Sequence, residues 1–64
     1  MDKRLEFAAF HSQALIDAQE WRQMAAAESG EKQDRYTRFA QSREDDAKWY
    51  EQQIAYYQYK EAAE

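Results

Sequence analysis

A chain of 64 residues holds one domain at most, and without cysteine it has neither a disulfide framework nor a thiolate metal site to hold it together. One histidine is too few for a histidine-built metal centre. A net charge of -4 argues against a non-specific DNA or RNA binder and suits a basic partner.

Proline is absent and glycine occurs once, so little punctuates the chain. With 34% charged and 44% hydrophobic residues, the balance is that of a strongly helical soluble protein rather than a disordered one. Met1-Asp2-Lys3-Arg4 is not followed by the apolar segment of a signal peptide. No apolar run approaches the roughly 18 residues a membrane span needs. The expected location is cytoplasmic, with no membrane partner.

Asp2 is placed to cap a helix starting at Lys3, because its short carboxylate reaches the free amides of the first turn. Helix formers continue to about residue 28. Phe7, Phe10, Ala14, Ala18, Trp21 and Ala25 fall on one stripe of this first helix. The alanines admit a close neighbour and the rings fill the space between. Leu5, Ala9, Ile16 and Ala27 lie roughly opposite, as a second and weaker apolar strip.

The break falls at Glu28-Ser29-Gly30-Glu31, where Gly30 can take the left-handed conformation that ends a helix. The phase of the pattern changes there too. Sevenfold extension of the first stripe meets Glu28, Arg35 and Ser42, whereas the next seam starts at Tyr36. A single glycine costs a helix only about 1 kcal/mol, so one continuous rod is the alternative.

A second helix is expected over about 31–61. Tyr36, Arg43, Tyr50 and Tyr57 recur every seventh residue, with Phe39 or Ala40, then Ala47, then Ile54 between them. Trp49, Tyr56 and Ala63, with Tyr59 nearby, form another set on roughly the opposite side. Folding back at Gly30 puts Ala25 near Tyr36, Trp21 near Phe39 and Ala40, and Ala18 near Arg43. It also sets Ala14 against Ala47, Phe10 against Tyr50, and Phe7 against Ile54. Arg43 either pairs with Asp17, fixing register, or lays its stem on the core with its head in water. Residues beyond Tyr57 have few counterparts across the seam.

Catalytic chemistry finds little purchase. His11 is expected at the core edge with one ring nitrogen hydrogen-bonded, and Ser12 beside it faces elsewhere. Glu44, Asp45 and Asp46 point in different directions on a helix and cannot share a metal ion. No catalytic, cofactor-binding or metal-ligating residue is assigned, and no enzyme activity is expected. Lys32, Arg35 and Arg38, three apart, could track phosphates, but Glu31 and Asp34 stand four residues before Arg35 and Arg38 and should pair with them.

The expected fold is therefore all-α: a single helical-hairpin domain over 1–64, dimerising into a coiled-coil-like four-helix bundle. The expected function is a small acidic protein-interaction and oligomerisation module, non-catalytic, acting as an accessory or regulatory protein. Its interface residues would be Trp49, Tyr56, Tyr59, Leu5 and Ile16, meeting a second copy or a different protein. Two alternatives are a nucleic-acid-associated regulator using Lys32, Arg35 and Arg38, and an acidic inhibitor competing with nucleic acid for a basic protein.

Overall fold

Among the described residues the chain forms two antiparallel helices, α1 over Lys3–Ala26 and α2 over Gly30–Ala63. The structure, a computed structural model, describes residues 2–63; the ends of the expected domain, Met1 and Glu64, lie outside the described residues. Asp2 caps α1 as expected, its Oδ1 accepting from the Arg4 amide at 2.9 Å. The far end of α1 closes at Ala26 rather than 28. Ala27 and Glu28 donate their amides back to the Met24 and Ala25 carbonyls at 3.2 and 3.1 Å, the tightened turn that finishes a helix.

Gly30 then reverses the chain with φ 65°, in the left-handed region. A Cβ built there would meet nothing within 4 Å, so the need for glycine is a matter of backbone conformation alone. This reversal rules out the continuous rod. Gln33 reinforces the corner by donating its Nε2 to the Ala25 carbonyl at 3.2 Å, a cap for α1 supplied by α2.

The seam follows the sequence register closely. Trp21 meets Tyr36 and Phe39 with ring centroids 5.4 and 4.8 Å apart, Asp17 meets Arg43, and Phe10 meets Tyr50 at 5.6 Å. Between these layers lie Ala14, Ala18, Ala25, Ala40 and Ala47, the only fully buried residues among those described. Alanine at the contact lets two helices come close, and the rings then lap over the sides instead of entering the middle. Phe7 shows this best. Its ring lies against Tyr50, Tyr57 and Trp49, at 6.1, 5.8 and 5.8 Å, ring partners additional to the Ile54 that the register sets across from it.

The end of α2 is also better held than expected. Arg4 reaches Glu61 at 2.8 Å, so little of α2 overhangs, and the helix runs to Ala63 rather than 61. The five buried alanines remove little apolar surface from water, so the half-buried rings along the seam supply much of the packing between the helices.

Candidate partner interface

A helix turns about 100° per residue, so side chains flanking each seam project from the two broad faces of the hairpin. The cross-helix contacts show which residues share a face. One face is polar and laced. Arg22 donates its Nε and Nη2 to the Glu44 carboxylate, the former at 3.1 Å; His11 Nε2 lies 3.0 Å from Glu51 Oε1; Arg4 joins Glu61. The Arg22 hydrogen bonds hold the Glu44 carboxyl below its ordinary range, and Glu44 in turn raises Arg22. At the start of α1 the Arg4 side chain lowers Asp2 in the same way. Beside these bridges Leu15, Gln41, Lys48 and Glu51 line an open, shallow groove.

The other face is aromatic. Near the turn it carries Trp21, Tyr36 and Phe39, with Met24 one turn from Trp21 on the same side. Towards the chain ends it carries Phe10 with Tyr50, and Phe7 with Tyr57 and Trp49. Between the two clusters stands one charged group. Arg43 bridges Asp17 across the seam at 3.2 Å and Asp46 on its own helix at 2.7 Å. The Arg43 Nε is buried without a hydrogen-bond partner, so this arginine is pinned by its terminal nitrogens only. Of the two readings of Arg43, the bridge to Asp17 is the one that forms.

These rings are only partly covered by their own chain. Phe10 is 52% exposed, Trp49 51% and Phe39 43%, although each packs against another ring, and Met24 is 44% exposed. An apolar strip with charged residues only at its centre and rim is the usual composition of a contact surface.

The residues named from sequence do not form one patch. Trp49 leaves the outer side of α2 and lays its ring edge-on against Phe7, at 78°, so it belongs to the aromatic face. Tyr56 stands over Tyr57, 5.1 Å away, and is half exposed. Tyr59, 75% exposed, lies further along α2; Ile16 is exposed on α1, and Leu5, also exposed, lines an open concavity with Arg4, Ala8, Ile54 and Gln58 from both helices. What the sequence reading missed is the difference between the two broad faces. The signal was there one turn off the seam, where Arg22 and Glu44 share one side and Phe10, Met24 and Phe39 the other.

The basic strip also differs from expectation. Arg35 and Arg38 form no salt bridge among the described residues, so the pairs with Glu31 and Asp34 are not made, although all four line one open concavity. Lys32 instead reaches Glu28 at 3.5 Å and lies 5.9 Å over the Tyr36 ring. His11 is at the core edge with one nitrogen bonded, as expected. Among the described residues no three His, Asp or Glu side chains gather where a metal ion could sit, and no helix is long and apolar enough to cross a membrane. Comparison of the chain with family models, curated proteins and solved structures finds no match.

Proposed function

We propose that the chain is a non-catalytic helical interaction module that associates with a second copy into a four-helix bundle and serves as an accessory or regulatory protein. One observation carries this reading: among the described residues nothing larger than alanine is fully buried, and an aromatic face is left half open to water. A hairpin with so small a core gains most by covering that face, since each large apolar side chain removed from water contributes about 1.5–3 kcal/mol. Tyr56 and Tyr59 on α2 and Leu5 and Ile16 on α1, all exposed, remain available to a different protein once the face is covered.

Size-exclusion chromatography with light scattering over a range of micromolar concentrations tests the reading. The expected mass is twice 7.7 kDa. A single-chain mass at all concentrations, with full helicity by circular dichroism, would overturn it.

A second reading has one observation in its favour. Arg35 and Arg38, free of salt bridges among the described residues, lie with Lys32 along one side of α2 and could follow a phosphate backbone. Fluorescence anisotropy with labelled RNA and DNA at low salt tests it. Binding that weakens when all three become glutamine supports this reading, and no binding ends it.

A further inference from the structure

The seams of α1 and α2 would run on into each other if the chain passed straight through the corner. Ala25, the last buried residue of α1, and Tyr36, the first ring of the α2 seam, are 11 residues apart. Three turns of α-helix take about 10.8 residues, so in an unbroken helix the two fall within about 20° of one direction. Ser29 and Lys32 fill the stripe between them at steps of four, three and four. Sevenfold spacing meets Glu28 and Arg35 instead, because it follows a supercoiled seam rather than a straight one.

Few interactions depend on the bend itself. Ala26, Ala27, Ser29 and Gly30 are exposed, and Gly30 alone among the described residues has a positive φ. The Lys32–Glu28 bridge joins residues four apart and suits a continuous helix equally well. The Ala27 and Glu28 amides, bonded three residues back, would bond four back instead. Gln33 on the Ala25 carbonyl is the hydrogen bond that needs the corner. Contacts along the seam, such as Trp21 on Phe39, Asp17 with Arg43 and Arg4 with Glu61, each join α1 to α2. The facing residues of the seam lie about equally far from Gly30 in sequence. Two straightened chains laid antiparallel with Gly30 at the centre therefore bring the same side chains together.

We infer that the hairpin is the closed form of an exchangeable fold: at high concentration α1 and α2 straighten through Gly30, and two copies pair antiparallel, each α1 on the α2 of the other. Two features keep the dilute chain closed. A neighbour's α1 competes with the chain's own only as copies approach the millimolar effective concentration that a short connection provides. A glycine inside a helix and a lysine on the seam both weaken the straight form. Exchange leaves the aromatic face as it is, so it does not depend on the four-helix bundle proposed above.

Small-angle X-ray scattering with light scattering reads the outcome. The exchanged pair is about 90 Å long, whereas the hairpin is 52 Å long and a bundle of hairpins side by side is no longer. The unaltered chain, unfolded and refolded at about 1 mM, should give a two-chain species of about 90 Å, and refolded at about 10 µM should keep the hairpin length. Gly30→Ala strains the bend in both chains and suits the straight helix. In dilute solution it should remain a weakened hairpin, with its extended pair forming at concentrations about 100-fold lower than for the unaltered chain. Gly30→Asn, which tolerates the left-handed conformation, should stay close to the unaltered chain.

An unaltered chain refolded at about 1 mM without a 90 Å species overturns the inference. So does a helical Gly30→Ala whose pairs are all of hairpin length. Compact pairs remove exchange and leave the bundle standing. Extended pairs from a chain that is otherwise single at every concentration remove the bundle and leave exchange.

Discussion

Enlarging the seam at Ala14 gives the sharpest perturbation of the fold. Ala14 has no exposure and Ala47 almost none, and they share a level bracketed by the Phe10–Tyr50 rings and the Asp17–Arg43 bridge. Ala14→Leu adds three carbons where two helices approach across alanines, so α1 and α2 must spread. Overpacking of this kind costs about 1–3 kcal/mol. For a domain of this size each kcal/mol moves the melting temperature by roughly 4–8 °C, so a fall of about 12 °C is expected at the middle of the range. Ala9→Leu, exposed on the same helix, controls for helix propensity, which differs by only a few tenths of a kcal/mol between the two residues. Thermal unfolding followed by circular dichroism reads both. If Ala14→Leu melts at or above the temperature of the unaltered protein, the close alanine seam is wrong.

Gly30→Ala forces a side chain into φ 65° with no neighbour to clash, so the cost is the backbone term alone, about 1–2 kcal/mol in urea unfolding. Asp2→Ala removes the cap on the Arg4 amide and should lower the urea midpoint in the same measurement. Glu44 has a folded pKa held below its ordinary value of 4.5 by Arg22, so its contribution is complete above that value and is lost as pH falls through the folded value. Urea midpoints measured from pH 6 downward should therefore fall on acidification, and fall less for Glu44→Gln. Tyr59→Ala, exposed on α2, should leave both dimer mass and melting temperature unchanged.

The hairpin was legible because its determinants are local: Asp2 before a helical run, one glycine, and stripes that change phase at Gly30. The layer register followed from counting back from that glycine, and it places Trp21 on Phe39, Asp17 on Arg43 and Phe10 on Tyr50. Harder to read was where long side chains go once alanines fill the middle. Phe7 and Trp49 are too large for the seam, so they fold over one side and meet there, although their positions on their own helices suggested different surfaces. Long flexible groups escaped for a related reason. Gln33 caps the other helix and Arg4 extends to Glu61, contacts that depend on reach rather than on periodicity. The separation of the face carrying Arg22–Glu44 from the face carrying Phe10 and Phe39 needed both helices placed side by side.

If the proposed self-association holds, a chain whose fully buried residues, among those described, are all alanine should gain much of its stability when a second copy covers its rings. Thermal unfolding at protein concentrations from about 5 to about 500 µM measures this directly, because association that stabilises only the folded form makes the melting temperature rise with concentration. A rise of several degrees across that range is expected. A sharp, cooperative transition at one temperature throughout would mean that the isolated hairpin is stable by itself and that its aromatic face is left to water.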